Sequence, residues 1–353
     1  EDAAQLAGQI LGALVQPFAS DGYHLASSAS IGISLFPTDG QDAETLLRNA
    51  DLAMYRAKEH GRNNFQFFTP DLTAGTLERL HIQHRLRQVI EHGGLTLHYQ
   101  PQVALTTGDI VGVEALARWT DPDLGAIPPA RFIPVAEDCG LIAPLGRWVL
   151  RTACRAARDW QARGLPPAPV AINISALQFA RSDFVNEVAS ALTEAGLEPR
   201  WLELELTESI LMADIEQVSE TLRALKRLGV QLSIDDFGTG YSSLSYLRRF
   251  ALDKLKIDRS FVGELGQDGN GGATAIVQII IALARNLRLA IIAEGVETVE
   301  QYQALRDYGC DGIQGYLISQ PLPGDAMREY LGARLPWRPP RPAAARSDRE
   351  PAE

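Results

Sequence analysis

The run Val230-Gln231-Leu232-Ser233-Ile234-Asp235-Asp236-Phe237-Gly238-Thr239-Gly240-Tyr241-Ser242-Ser243-Leu244 alternates apolar and polar residues over its first half. That is the period-two pattern of a strand. It ends on two adjacent carboxylates and then a loop with two glycines and four hydroxyl-bearing residues. Adjacent side chains on a strand point to opposite faces, so one aspartate is expected inward while its neighbour leans over the rim. Two negative charges this close repel unless a positive group sits beside them. Alone, such a pair reads as a helix cap or an Asx turn; the rest of the chain gives it a different context.

Outward from this strand, similar segments recur: Leu95–Gln100, Ile110–Leu116, Val170–Ile174, Leu202–Leu206, Lys254–Ile257, Ala290–Ala293 and Gly312–Gln314. Helical patterns fill most of the gaps, including Glu216–Leu228 and Ala273–Leu287. Eight strands alternating with helices over about 240 residues predict a closed α/β barrel of the (β/α)8 type. Only Pro101–Asp109 links the first two strands, so they are expected to pair as a hairpin and make the barrel irregular.

A barrel puts functional groups at the C-terminal ends of its strands. Those ends read Glu114, Asn173, Glu205, Asp235 with Asp236, Lys256 with Asp258, Glu294 and Gln314. One such residue is usually a cap or a surface charge, but seven strand ends of this kind converge on one mouth. So many carboxylates need cations to be stable there. All six histidines lie within the first 98 residues, and the three cysteines (Cys139, Cys154, Cys310) have no CxxC spacing. Oxygen ligands therefore dominate, and these select Mg²⁺ or Mn²⁺ over Zn²⁺. Two such ions bridged by one aspartate suit phosphoester hydrolysis. Lys256 is placed to orient the attacking water or neutralise developing charge, and Arg118 to fork onto a phosphate. The same residues also fit a Mg²⁺-dependent lyase or isomerase with Lys256 as base.

Composition sets the limits. The chain has 353 residues, 46% apolar and 22% charged, enough for one large domain and a smaller piece. A formal net charge of −11 argues against duplex nucleic acid as a partner. The cysteines read as thiols of a reducing, cytoplasmic compartment. No apolar run reaches the length of a membrane span. The chain opens on Glu1 rather than Met and reads as a piece of a longer protein, whose other domains are the place for a membrane anchor. Before the barrel come a helix over 3–16, a strand over Ser28–Phe36, a helix over Ala43–His60 and a short strand at Asn64–Phe68. A connector helix follows over 72–92. The tail Pro336–Glu353 is rich in Pro, Ala and charge, and is expected to be disordered.

Two resemblances follow from these residues. The run SIGISLFPTDG with LLRNADLAMYRAKEHGRNNFQFF resembles the second half of a GGDEF (diguanylate cyclase) domain. The Gly-Gly-Asp-Glu-Phe loop itself is not in the sequence, so no cyclase activity is expected. Glu114-Ala115-Leu116-Ala117-Arg118-Trp119 resembles the motif that names the EAL cyclic-di-GMP phosphodiesterases. The match continues through Tyr99-Gln100-Pro101, Asn173-Ile174-Ser175, Glu205-Leu206-Thr207-Glu208-Ser209 and Asp235-Asp236-Phe237-Gly238-Thr239-Gly240. It runs on through Lys256-Ile257-Asp258, Glu294-Gly295-Val296-Glu297 and Gln314-Gly315-Tyr316.

The resemblance implies a modified TIM barrel that opens cyclic-di-GMP to linear pGpG with two Mg²⁺ or Mn²⁺ ions. It implies one ion on Glu114, Asn173, Glu205 and Asp235, and a second near Asp235, Asp236, Asp258 and Glu294. Lys256, Gln314 and Glu208 take catalytic roles by the same resemblance, and Gln100, Arg118 and Glu297 substrate contacts. Glu208 and the 236–243 loop resemble the segment that couples the site to dimerisation, so a homodimer is expected. The alternative is a silent receptor of the same ligand. The expected division is a partial GGDEF-like segment over 1–71, the connector over 72–94, the barrel over 95–335 and the tail over 336–353.

Overall fold

Leucine and isoleucine alternate with polar residues along Leu202–Thr207, Lys254–Ile257 and the first half of Gln231–Phe237, and the two sets go to opposite sides. The computed structural model describes residues 2–14, 18–20, 23–25, 28–59, 63–212, 214–238, 249–265, 271–333 and 336–339. Eight strands form the barrel: β1 Leu95–Ala104, β2 Ile110–Asp121, β3 Val170–Ile174, β4 Leu202–Thr207, β5 Gln231–Phe237, β6 Lys254–Ile257, β7 Ala290–Ala293 and β8 Gly312–Ile313. From β2 to β8 every neighbouring pair is parallel. β1 runs against both of its neighbours and closes the ring.

The reversed first strand follows from the short β1–β2 link, because a parallel crossover needs a dozen or more residues. The hairpin pairs from Leu95 opposite Trp119 to Gln102 opposite Gly112, further than the sequence pattern implied.

On the outer face Leu202, Leu204, Leu206, Ile234, Leu255, Ile257 and Ile291 are buried in one apolar cluster with the surrounding helices. The helix Ile215–Leu228 shows how the helices contribute. Val218, Leu222 and Leu225 recur at helical spacing and are buried. Asp214 caps its start by accepting from the Gln217 N–H, and Gly229, in the left-handed region, ends it. Each leucine fully buried in this shell is worth roughly 1.5–3 kcal/mol. The apolar core thus lies between strands and helices, and the barrel interior is free to be polar.

The chain divides into two compact units, Glu1–Leu86 and Arg87–Glu353. The first contains helices Asp2–Leu14 and Ala43–Glu59, with Ile31–Ile33 paired in parallel to Phe65–Phe67. It also holds a hairpin, Phe18–Ser20 with Tyr23–Leu25, that the sequence reading missed. The Asp21-Gly22 dipeptide between its arms is the turn signal that marks it. Leu6, Ile10 and Leu14 stay exposed on the first helix. The connector helix runs from Pro70 to His92.

The start of the expected disordered tail is placed. Trp337 donates its N–H to the Gly108 carbonyl at 2.8 Å, and its ring meets Tyr302 edge-on at 5.5 Å. A large aromatic gains more from this contact than the flanking prolines lose. Residues 340–353 lie outside the described residues.

Candidate active site

Lys256 sits at the centre of the mouth with no solvent exposure. Its Nζ lies 2.5 Å from Glu294 Oε1, 2.8 Å from Glu205 Oε2, 3.4 Å from Asp235 Oδ1 and 3.6 Å from Glu114 Oε2. Four strands, β2, β4, β5 and β6, and the residue just after β7 supply these side chains. Burial alone would push the lysine down, but the four carboxylates outweigh it and hold Lys256 well above its ordinary value.

One ammonium cannot satisfy four carboxylates. Burial pushes Glu205 well above the usual carboxylate range, and the charges of Glu114 and Asp235 add to this against the pull of Lys256. Burial likewise pushes Glu294 up to about 8, with Asp235 and Glu114 adding to the rise. Asp236 is raised to about 6 by burial and by the charges of Asp235 and Asp258. Glu114 goes the other way. Burial raises it, but Lys256 and hydrogen bonds from Gln314 and Asn173 leave it below its ordinary value.

Asp235 and Asp236 do not split between two faces as simple alternation predicts. The β5–β6 register shifts between Ile234 and Phe237, and Asp236 takes φ 54°, a left-handed backbone rare for a residue with a Cβ. The bulge turns both carboxylates toward the mouth. One oxygen each from Asp235, Asp236 and Glu294 lie within 4.8 Å of one another. The Asp236 N–H also donates to Asp235 Oδ1 at 3.0 Å.

Amides frame the opposite wall. Asn173 Nδ2 donates to Glu114 Oε1 at 2.6 Å, and Gln314 Nε2 donates to Glu114 Oε2 at 2.5 Å and to Gln100 Oε1 at 3.0 Å. Gln100 in turn donates to the Ser319 carbonyl at 3.0 Å. Arg118, half-buried, donates to the Ala117 carbonyl at 2.8 Å.

Three expected site residues sit apart from the Lys256 cluster. Asp258 caps the helix Arg259–Gly263, with Oδ1 accepting from the Ser260 N–H at 3.0 Å and from the Ser260 hydroxyl, and it reaches the mouth only as a neighbour of Asp236. Glu208 is buried and accepts from the Gly238 N–H at 3.2 Å, at the start of the loop whose residues 239–248 lie outside the described ones. Glu297 is exposed on the turn before the helix Val299–Tyr308, its N–H donating to Gln301 Oε1. The sequence reading missed Gln102, Glu203 and Lys254, buried beneath the mouth. Each lies two residues from a residue it had singled out, and the strand period was the signal.

The donor set fits hard divalent cations. Both Glu205 carboxylate oxygens, Glu294 Oε1 and Lys256 Nζ are buried and have no well-aligned hydrogen bond, although their ion-pair distances are short. Buried polar atoms left this way are costly. Oxygen ligands of this density are the kind that Mg²⁺ and Mn²⁺ take.

A pH dependence follows. Glu294 keeps its proton to about 8 in the folded protein, against an ordinary 4.5, and Asp236 to about 6, against 3.8. Between those values the unfolded chain has released protons that the folded chain still holds, so stability falls as pH rises. The melting temperature in EDTA should therefore drop from pH 5 to pH 8. Mn²⁺ displaces those protons, so its stabilising shift should grow over the same window. A shift from Mn²⁺ that is equal at both pH values would show that these carboxylates do not bind the ion.

Residues 83–321 match the EAL domain. The chain belongs to the EAL-domain family. Residues 1–64 match the diguanylate cyclase GGDEF domain in part. The chain is 47% identical over 326 residues to the bifunctional diguanylate cyclase/cyclic di-GMP phosphodiesterase MucR of Pseudomonas aeruginosa, covering 92% of this chain and 47% of that protein. It is 46% identical over 328 residues to the cyclic di-GMP phosphodiesterase NbdA of the same organism, covering 93% and 42%. It thus spans less than half the length of either relative. The PaMucR phosphodiesterase solved as a c-di-GMP complex superposes with a TM-score of 0.67 at 47% identity, over 70% of this chain and 99% of that one. The EAL domain of Mycobacterium smegmatis DcpA gives 0.58 at 42% identity, over 69% and 97%. In this EAL-domain chain no described helix is long and apolar enough to cross a membrane.

Proposed function

We propose that this EAL domain hydrolyses cyclic-di-GMP to linear pGpG with two bound Mg²⁺ or Mn²⁺ ions. The observation that carries the reading is the ring of Glu114, Glu205, Asp235 and Glu294 around one buried ammonium, with carboxylate oxygens that no well-aligned hydrogen bond satisfies. Similarity to phosphodiesterases named for this substrate supports the choice of ligand. In this reading Glu114, Asn173, Glu205 and Asp235 hold one ion, and Asp235, Asp236 and Glu294, with Asp258 behind Asp236, hold the other. Bound there, such ions supply hydroxide from water near neutral pH and offset charge on the attacking and leaving oxygens.

The chain's own groups do the rest. Lys256 offers a fixed positive charge beside the water and the phosphorus it attacks. Gln314 holds Glu114 and meets Gln100, so the amide wall keeps the carboxylate facing the mouth. Arg118 takes a non-bridging phosphate oxygen. One water is consumed, one P–O bond of the ring opens, and the product is linear.

The test is chromatographic. Cyclic-di-GMP incubated with the protein and Mn²⁺ should give pGpG, and EDTA should stop it. Glu114→Ala should remove the activity. Binding of cyclic-di-GMP without product would replace this reading with a receptor, and neither binding nor product would point to another barrel chemistry.

A further inference from the structure

A second polar layer lies under the mouth. Glu203, Lys254 and Gln102 stand two residues from Glu205, Lys256 and Gln100, so strand alternation sends them to the same interior face. Lys254 Nζ lies 2.5 Å from Glu203 Oε2 and 3.3 Å from Gln102 Oε1. Gln102 Nε2 donates to Gln314 Oε1 at 2.9 Å, and Gln314 Nε2 donates to Glu114 Oε2. The chain of contacts runs from the barrel floor to the carboxylate ring.

Each step has only one sense. An ammonium only donates, a carboxylate only accepts, and a side-chain amide has one end of each kind. Lys254 thus draws the carbonyl end of Gln102, whose NH₂ must then face Gln314. Gln314 meets it with its carbonyl and presents its own NH₂ to Glu114. The alternative orientation of either amide sets two acceptors or two donors against each other. Gly112 preserves the path, because a Cβ there would stand 2.5 Å from Gln102 Oε1.

Stability alone does not account for this layer. An ion pair buried in a barrel is commonly replaced by apolar side chains of similar volume at no loss. We infer that Glu203, Lys254 and Gln102 are positioning residues, which fix the orientation of the Gln314 amide and through it the carboxylate of Glu114. The inference rests on the phosphodiesterase reading for its kinetic consequence, though not for its structural one.

Two variants test it. Gln102→Met cuts the relay and leaves the Glu203–Lys254 pair intact. The double variant Glu203→Lys/Lys254→Glu keeps a neutral buried pair but reverses what Gln102 meets, so two acceptors must oppose each other at Gln102–Gln314 or at Gln314–Glu114. The first readout is the ¹⁵N–¹H side-chain amide resonance of Gln314 in metal-free protein, assigned by its loss in Gln314→Met. It should move in both variants while the melting temperature of Gln102→Met stays close to the parent's. The second readout is kinetic: kcat should fall about tenfold to a hundredfold with KM little changed, the size expected for residues that orient a metal ligand.

An unmoved resonance together with parental kcat in Gln102→Met would overturn the inference. Should the double variant fail to fold, Gln102→Met decides alone. If the parent itself makes no pGpG, the phosphodiesterase reading fails, while the resonance still reports on the relay.

Discussion

Lys256→Met is expected to lower turnover by at least about a hundredfold, the scale of losing one preorganised charge at a reacting centre. It should also destabilise the metal-free protein. Lys256 is the ion-pair partner of three buried carboxylates and of the partly exposed Glu294. Removing one partner of a buried pair costs about 3–5 kcal/mol, because the remaining charge is left without compensation. The raised pKa of the lysine fixes the sign: its contribution is present throughout neutral pH and is lost only above its folded value. In the variant the carboxylates bind protons more strongly still. The gap in melting temperature between parent and variant, measured in EDTA, should therefore widen from pH 5 to pH 8. Mn²⁺ should narrow it by supplying the missing positive charge, so metal binding survives while turnover does not. A variant that no longer binds Mn²⁺ would mean that Lys256 shapes the site rather than acting in it.

Most strands were legible because they repeat a simple alternation, and the candidate site residues because they stand at strand ends. The reversed β1 was legible too, from the shortness of its link to β2. Legibility failed where a local rule gave way to tertiary context. Alternation predicts opposite faces for Asp235 and Asp236, yet the bulge and the left-handed Asp236 bring both to the mouth. A bulge needs the neighbouring strand to define it, and no single strand carries that information. Asp258 shows the same limit from the other side. A carboxylate just after a strand and before Arg259-Ser260 can be a ligand or a helix cap; here Asp258 caps the helix Arg259–Gly263 and also stands beside Asp236, a pairing that sequence alone does not show. Reading only the strand ends also hid Glu203, Lys254 and Gln102, since a buried charge one layer down looks in sequence like any other polar residue of the strand. Trp337 escaped because composition described its neighbours rather than the ring itself.

Asp235→Asn should raise the stability of the metal-free protein while removing its activity. The substitution is nearly isosteric, and the asparagine oxygen can still accept from the Asp236 N–H as Asp235 Oδ1 does at 3.0 Å. What is lost is one negative charge: Lys256, 3.4 Å away, keeps three other carboxylates, while the lost charge adds to the raised pKa of Glu205, Asp236 and Glu294 alike. Without it those groups ionise more readily, and the proton uptake that penalises folding above pH 5 shrinks. In EDTA at pH 8 the variant should melt higher than the parent, by about 2–4 °C for each kcal/mol of repulsion relieved. With Mn²⁺ the order should reverse, because the parent gains from the ion through a carboxylate that the variant lacks. Turnover should fall at least about a hundredfold. A residue whose role is structural loses stability and activity together; a residue kept for its charge toward a cation moves them in opposite directions. Lower stability of Asp235→Asn in EDTA at pH 8 would place Asp235 in the first class and remove the bridging role proposed for it.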